Sequence, residues 1–350
     1  MKSLKEIGEF GFIESFTNRF KPLLQNNVTG IGDDCAVFAK DGATDSIFTT
    51  DLLAEGVHFI KDKISAYELG YKSVAVNLSD IAAMGGIAKG TFLSIAVPPN
   101  VSFDYLDEFM NGYLAISREF NVPLLGGDTT KSLRDLVINI GVTGEVEHER
   151  AKMRSMAQPG DIICVTGTLG DSAGGLQIVL AEKDKDALDN LAANDSRVQY
   201  MLGRHYMPKP RLNEGRALNR FDAVHAMMDI SDGIGSDLQH ILKMSNMSAV
   251  IDVDKLPVSS QLRGYFGDKG EHYLRELAIS GGEDYELLFT VDRYEIDAVK
   301  TLLKSLTGME LHEIGYVTPV QKGTQPSVTW MDNGVKLNET FNGYNHFLAK

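Results

Sequence analysis

Acidic residues beside glycines are the groups in this sequence best suited to chemistry, and most of them close an apolar run. They occur as Gly32-Asp33-Asp34, Gly127-Asp128, Asp229-Ile230-Ser231-Asp232-Gly233 and Gly282-Glu283-Asp284, with Thr49-Thr50-Asp51 and Asp80 in similar surroundings. A carboxylate in apolar surroundings is costly unless its charge is compensated, and glycine lets the backbone approach a ligand closely. The pattern therefore favours carboxylates gathered around divalent cations, which would in turn hold a phosphorylated ligand.

The segment around Asp80 gives the sharpest local prediction. Residues 65–84 are predicted to form one long helix. One stripe of this helix carries Ser73, Asn77, Asp80 and Met84. The flanking residues are apolar, and a helix that is apolar almost all round should be buried, so Asp80 would be a buried carboxylate in need of a cation. The alternative is that the stripe faces water, and the helix alone does not decide between the two.

The other predicted elements place the acidic groups at the ends of strands. Strands are predicted at 46–53, 91–97, 123–125, 136–146, 162–166, 224–229, 248–253, 285–291 and 311–318. Further helices are predicted near the start, through Ile7, Phe10, Ile13 and Phe16, and at 103–120, 197–205, 235–244, 271–278 and 293–306. Ligands of α/β folds bind outside the carboxyl ends of strands, which favours one shared site.

The fold class is therefore α/β (α+β), in two domains. A turn at Gln158-Pro159-Gly160-Asp161 follows a change of character near residue 155. We predict an N-terminal domain at 1–155, which carries the nucleotide and metal ligands, and a C-terminal α/β domain at 156–350 that completes the site.

Composition limits the possible partners. The chain of 350 residues has 48 acidic residues against 34 Lys and Arg, a net charge of −14. This balance disfavours nucleic acid or an anionic membrane as the main partner, but metal ions could bridge the chain to a small anion. Two separated cysteines, Cys35 and Cys164, favour a reducing compartment. With neither a signal peptide nor an apolar span in the sequence, we expect a cytoplasmic protein.

Several common catalytic motifs are missing from the sequence. It contains neither the G-x-x-x-x-G-K-[ST] phosphate loop nor G-x-G-x-x-G or H-E-x-x-H. The stretch 229–233 fails the EF-hand spacing because Ser231 and Gly233 take alternate ligand places. Any nucleotide chemistry must therefore depend on metal ions rather than on a phosphate loop.

Each acidic group also has a structural explanation. Asp128 could close a turn, and Asp or Ser within 229–232 could cap the next helix. His58 could contact an anionic ligand or be an ordinary histidine, and Arg154 could contact phosphate or simply be solvated. For each of these residues taken alone, a structural role is more common than a functional one. Their occurrence together at strand ends favours a site.

The chain resembles the thiamine-monophosphate kinase family in a series of segments that follow the family order. They are residues 30–36, 49–59, 72–85, 126–130, 165–172, 229–233 and 280–287, with Gly343-Tyr344-Asn345-His346-Phe347 near the end. This family is part of the wider aminoimidazole-ribonucleotide synthetase-like superfamily of ATP-binding proteins. The resemblance implies ATP-dependent phosphorylation of thiamine monophosphate to thiamine diphosphate. It also implies a homodimer whose N-terminal β-sheet domains form a shared barrel with flanking helices, and a C-terminal α/β sandwich beside it.

The resemblance also implies roles for individual residues. The Mg²⁺ ligands would be Asp34, Asp51, Asp80, Asp128, Asp229 and Asp232, assisted by Thr49 and Thr50, with Asp51, Asp80 and Asp128 as the catalytic carboxylates. ATP would contact Thr49, Gly127, Arg154 and Ser231. Thiamine monophosphate would contact His58, Glu283 and Phe341. Phe341 stands where the family often has Trp and is the weaker partner for a cationic ring; Trp330 is the alternative stacking residue, and Asn345 replaces a common Asp.

The chemistry needs no general base. The second pKa of a phosphate monoester is about 6, so the attacking oxygen is already largely ionised at neutral pH. Positioning and charge neutralisation are then sufficient for direct in-line transfer. The alternatives are another ATP-dependent activating enzyme of the superfamily and a non-catalytic nucleotide-binding relative. Selenophosphate synthetases carry a reactive N-terminal Cys or selenocysteine and hydrogenase-maturation proteins end in Cys, features that this sequence lacks.

Overall fold

The computed structural model describes residues 11–14, 17, 21–40, 42–339 and 341–344. Most of the predicted opening helix around residues 7–16, and Asn345, lie outside the described residues. The described chain contains two β-sheets with helices packed against them, so the prediction of a mixed α/β fold is confirmed. None of the described helices is long and apolar enough to cross a membrane.

The first sheet is built from the N-terminal half of the chain. Its strands are β1 (Val28–Thr29), β2 (Ala36–Phe38), β3 (Thr44–Ala54), β4 (Ile87–Val97), β5 (Leu124–Lys131) and β6 (Val137–Glu147). They lie in the order β1-β2-β3-β6-β4-β5, and only β4 and β5 are parallel. Along β3, Ile47 and Leu53 are buried whereas Phe48 and Leu52 are exposed. Because side chains alternate along a strand, one face of this sheet covers the core and the other is open.

Helices α1 (Ala66–Ala83) and α2 (Phe103–Phe120) cover the buried face. Ser65 begins α1 with a capping box, in which its hydroxyl accepts from the backbone of Glu68 and the Glu68 carboxylate accepts from the backbone of Ser65. The helix lies between the first sheet and the C-terminal half, which explains why nearly all its residues are buried. Of the two readings of this helix, the buried one is therefore confirmed, and Ser73 and Asn77 are fully buried.

The two helices approach closely at a pair of glycines. A Cβ atom added to Gly70 of α1 would lie 1.9 Å from the carbonyl oxygen of Phe109, and one added to Gly112 of α2 would lie 1.8 Å from that of Tyr67. Only glycine fits at these two positions, because the backbones themselves are in contact. This close packing fixes α1 against the sheet.

The second sheet is built from the C-terminal half. Its strands are β7 (Ile162–Thr166), β8 (Val224–Asp229), β9 (Met247–Asp252), β10 (Leu287–Val291), β11 (Leu311–Pro319), β12 (Val328–Asp332) and β13 (Val335–Lys336). They lie in the order β13-β12-β9-β11-β7-β10-β8, and β12 and β9 are the parallel pair. Strand β8 ends at Asp229, at the edge of the sheet that faces α1.

Helices cover both faces of this second sheet. They are α3 (Asp171–Ala181), α4 (Lys185–Asn194), α5 (Ser196–Tyr206), α6 (Leu212–Asn219), α7 (Ile234–Ser245), α8 (Ser260–Phe266), α9 (Glu271–Ser280) and α10 (Ile296–Thr307). Ile163 and Val165 pack with α7 and α9 on one face, whereas Cys164 packs with α6 and α10 on the other. The predicted α/β sandwich is confirmed.

Candidate active site

Helix α1 joins the two sheets through hydrogen bonds made by its last turns. The hydroxyl of Thr49 on β3 donates to Oδ2 of Asp80 at 2.5 Å. One residue earlier in the helix, the hydroxyl of Ser79 donates to Oδ2 of Asp229 at 2.6 Å. Asp80 thus contacts a hydroxyl of the N-terminal half, and its neighbour Ser79 contacts a carboxylate of the C-terminal half. Both halves of the chain therefore contribute to one site.

Three carboxylates meet at this junction. Asp34, Asp80 and Asp229 each offer an oxygen, and these oxygens all lie within 4.8 Å of one another. Burial, followed by the charges of Asp51, Asp229 and Asp34, raises the pKa of Asp80 well above its ordinary value. Burial and the charge of Asp34 likewise raise the pKa of Asp229. Such a group of oxygens is the ligand set that Mg²⁺ and other hard cations prefer, and a bound cation would compensate the repulsion.

Arg154 lies beside this cluster, and its positively charged guanidinium faces the negatively charged carboxylates. It sits in a single helical turn, Arg154–Met156, and its Nη2 atom donates to Oδ1 of Asp34 at 2.6 Å. Its backbone N–H donates to Oδ1 of Asp33 at 3.1 Å, and Ser245 fixes its carbonyl oxygen. Burial and the charge of Asp34 raise the pKa of Asp33 to about 7. A guanidinium held here can pair with phosphate oxygens that approach the carboxylates.

The loop that carries Ser231 and Asp232 is held by Asp237. Oδ2 of Asp237 accepts hydrogen bonds from the backbone N–H groups of Ser231, Asp232 and Gly233, at 3.1, 3.2 and 3.0 Å. Asp237 lies in the first turn of α7 and is 1 % exposed. A carboxylate at this end of the helix also interacts favourably with the helix dipole. Asp237 thus fixes the conformation of the loop through its backbone.

At the far side of the site, Glu283 follows α9 and meets Lys72 of α1. The Lys72 amino group lies 3.0 Å from each carboxylate oxygen of Glu283. His58 lies in the loop after β3, and its Nδ1 accepts from the backbone N–H of Ala54. Glu283 and His58 border the same cavity as the three clustered carboxylates, whereas Lys72 is buried behind Glu283.

One cavity of roughly 690 Å³ connects these groups. It brings together most of the predicted site residues, namely Asp34, Thr49, Thr50, Asp51, His58, Asp80, Arg154, Asp229, Ser231, Asp232 and Glu283. One end is acidic and the other is bordered by α3 and α9. The cavity is large enough for a nucleotide and a second small molecule.

Three predicted residues lie elsewhere in the described chain. Gly127 and Asp128 are on β5, an exposed edge strand, and Asp128 pairs with the exposed Ser94 of β4. From the strand order, Asp128 lies across three strand spacings, about 14 Å, from Leu52 beside Asp51. Phe341 is 8 % exposed, and its ring packs against that of Trp330 at 5.1 Å between centroids.

Other residues that border the cavity were missed by the sequence reasoning. They include Ser172 and Gln177 of α3, His205 of α5, Tyr273 and Glu276 of α9, and Tyr344. Apart from Ser172, which follows Gly170-Asp171, none sits beside a Gly-Asp pair, so the pattern used for prediction could not find them. Ser172 and Tyr344 had a further signal, because each lies within a segment quoted for the resemblance.

The comparisons with known proteins agree with this geometry. The sequence matches the family described as AIR synthase related protein, N-terminal domain, over residues 32–146, and that of the C-terminal domain over residues 158–325. It is 38% identical to the thiamine-monophosphate kinase of Buchnera aphidicola, over 97% of this chain and 98% of that protein. The thiamine-monophosphate kinase of Escherichia coli K12 is also 38% identical, over 97% and 98% of the two chains. This chain belongs to the thiamine-monophosphate kinase family.

A solved structure supports the same assignment. The structure of AaThiL complexed with AMPPCP and TMP is 31% identical to this chain, with a TM-score of 0.80 and 99% of each chain covered. The fold of this chain therefore matches that of AaThiL over nearly the full length of both chains.

Proposed function

We propose that this chain transfers the γ-phosphate of ATP to thiamine monophosphate, which gives thiamine diphosphate. The observation that carries the proposal is the meeting of Asp34, Asp80 and Asp229 within one cavity that also contains Arg154 and Glu283. The similar AaThiL structure was solved with AMPPCP and TMP together, so a nucleotide and a phosphorylated acceptor are the natural occupants. Homologous full-length kinases support the same reaction.

The residues present fit Mg²⁺. Asp80, which is half-buried, and Asp229, which is buried, have raised pKa values and lie within 4.8 Å of a third carboxylate, a grouping that a divalent cation would stabilise. Asp34, Asp80 and Asp229 would hold the metal, with Asp51, Asp232 and Thr49 as further ligands. The cation supplies charge neutralisation for the phosphoryl group. Thr49 and Ser79 orient two of the carboxylates, and Arg154 is placed to pair with phosphate oxygens.

The acceptor would lie at the end of the cavity near Glu283 and His58, with its phosphate directed toward the carboxylates. Tyr344 borders the cavity and is 40 % exposed, whereas Phe341 is packed in the core against Trp330. Tyr344 is therefore a better candidate than Phe341 or Trp330 for stacking on the thiazolium ring.

The open face of the first sheet supports a homodimer. Phe48, Leu52 and Phe92 are 43, 54 and 46 % exposed on that face, and Leu125 is 54 % exposed on the edge strand β5. Exposed apolar residues on an unpaired edge strand are costly unless another chain covers them. A barrel shared by two N-terminal domains would cover them. Asp128, which does not border the cavity of its own chain, would then serve the site of the partner.

Subunit complementation tests the dimer and the role of Asp128 together. Asp80→Asn and Asp128→Asn are each expected to lose activity by orders of magnitude, and mixed dimers should regain one working site if Asp128 acts across the interface. If it acts within its own chain, mixing restores nothing. A monomer in sedimentation equilibrium would contradict the dimer.

A coupled ADP-release assay tests the reaction. We expect Mg²⁺-dependent turnover with thiamine monophosphate and little with thiamine or an aminoimidazole precursor. Asp80→Asn should abolish turnover, whereas the matched control Asp268→Asn, an exposed aspartate that does not border the cavity, should not. ATP turnover that ignores thiamine monophosphate would refute the proposal. The two buried free cysteines, Cys35 and Cys164, support the further proposal of a reducing, cytoplasmic location.

A further inference from the structure

Lys72 is a buried lysine directly behind the acceptor end of the cavity. Its side chain is 1 % exposed, and its Nζ atom lies 3.0 Å from both oxygens of Glu283. Lysine is almost never fully buried unless it is paired. Lys72 belongs to α1, whereas Glu283 follows α9, so this ion pair joins the two halves of the chain.

Glu283 is held so that its carboxylate borders the cavity. Its side chain is 26 % exposed, and its backbone has a left-handed φ of 66°, a conformation that is unfavourable for a residue other than glycine. The loop is fixed by hydrogen bonds from the N–H of Glu283 to the carbonyl of Ser231, at 2.7 Å, and from Tyr285 to Ile230, at 2.9 Å. The backbone and Lys72 therefore fix the carboxylate together.

Lys72 carries the full positive charge nearest to Glu283. The other titratable groups that face Glu283 are His205 of α5, His58 of the loop after β3, and Tyr285 of its own loop. Nδ1 of His205 lies 3.3 Å from Oε2 of Glu283, but burial and then Lys72 lower the pKa of His205 to about 3, so this imidazole is neutral. Burial would raise the pKa of Glu283, yet the charge of Lys72 and the hydrogen bond from its amino group set it below its ordinary value.

We infer that Lys72 is a positioning and specificity-determining residue, which holds Glu283 as an oriented anion so that the cavity selects an acceptor with a positively charged organic part. The inference rests on the proposed function, in which Glu283 contacts the thiamine moiety. A protonated Glu283 would offer the thiazolium cation only a neutral group. Lys72 and Asp80 are eight residues apart on α1, about 12 Å along the axis, so one helix sets both ends of the cavity.

Steady-state kinetics of three variants test the inference. The variants are Lys72→Met, Glu283→Gln and the double variant, each measured with saturating MgATP between about pH 6 and 9. We expect Lys72→Met to raise KM for thiamine monophosphate about tenfold or more near neutral pH, with KM for ATP changed by less than about twofold. Without Lys72 the pKa of Glu283 rises, so kcat/KM for thiamine monophosphate should recover as pH increases.

Ratios between variants isolate this ionisation. The phosphate of the acceptor titrates with a pKa of about 6 in every variant, so it cancels when each profile is divided by that of Glu283→Gln. The recovery with pH should be present in Lys72→Met and missing from the wild type and the double variant. A Lys72→Met profile parallel to that of Glu283→Gln, or an unchanged KM for thiamine monophosphate, would overturn the inference.

Two further measurements separate positioning from simple stability. Lys72→Met leaves the half-buried carboxylate of Glu283 without its partner, so Tm should fall, and the double variant should recover part of the loss because both charges are removed. If Lys72→Met does not fold, Lys72→Arg retains the charge and should keep KM for thiamine monophosphate within about threefold of wild type; a tenfold rise would overturn the inference. A wild type with no kinase activity would defeat the proposed function itself.

Discussion

Asp229→Asn should make the metal-free protein more stable and the enzyme inactive. Asn keeps the size of the side chain and an oxygen that can accept from Ser79, but it removes one charge from the cluster with Asp34 and Asp80. Burial, then the charge of Asp34, raises the pKa of Asp229 from 3.8 to about 8. In the folded, metal-free chain the ionised carboxylate is therefore destabilising.

The sign of the pH dependence follows from this raised pKa. The folded state binds the Asp229 proton more tightly than the unfolded state. The stabilisation that comes from this proton is therefore fully present below about pH 4 and is lost as pH rises towards about 8. At 3 % exposure solvent screens this group little, and the full loss is on the order of 5 kcal/mol. The Asn variant avoids that loss, and its metal-free Tm should exceed that of the wild type by a few degrees at pH 8.

Thermal melting in EDTA and in MgATP measures both effects. The stabilising advantage of Asn should shrink at acid pH, where Asp229 of the wild type is protonated. MgATP should stabilise the wild type by mass action and the variant far less, and turnover should fall by orders of magnitude. A metal-free variant that melts below the wild type at pH 8, or one with near-normal turnover, would refute the assignment of Asp229 to a cation site.

Three further predictions concern residues around the cavity. Tyr344→Ala should raise KM for thiamine monophosphate with little change in Tm. Phe341→Ala should mainly lower the free energy of unfolding, by the few kcal/mol typical of a lost core aromatic ring, and Tm should fall with it; equal kinetic effects would contradict the placement of these rings. Asp237→Ala leaves three loop N–H groups without their acceptor, so KM for ATP should rise about tenfold, as initial-rate kinetics would show. Lys63→Met removes the donor to the carbonyls of residues 179 and 182 at the end of α3, so Tm should fall while both KM values stay near those of the wild type.

The sequence predicted the elements that carry strong periodicity. The helix at 103–120 and the strand at 162–166 have the predicted bounds, and the helix at 65–84 is one residue shorter at each end. Strands β1, β2, β12 and β13 and helices α4, α6 and α8 were missed, because they are short and their apolar pattern is weak.

The site could be predicted only in part, for a physical reason. Gly-Asp pairs mark places where a chain turns towards a ligand, which is how Asp34, Asp229 and Asp232 were found. Lys72 looks like an ordinary helix residue until α1 is seen between two domains, and Asp237 resembles any acidic residue in a first helical turn. Phe341 was chosen by type, whereas its packing against Trp330 depends on contacts distant in the sequence.

Helix α1 should not tolerate a change in length. Four of its side chains contact four different partners. Lys72 donates to Glu283 and Ser79 donates to Asp229, whereas Asn77 accepts from the backbone of Asp51 and Asp80 accepts from Thr49. Each residue turns a helix by about 100°, so a single inserted or deleted residue between the glycine crossing and Asp80 would rotate every downstream side chain away from its partner. The number of residues between the glycine crossing and Asp80 is therefore constrained by contacts with both halves of the chain.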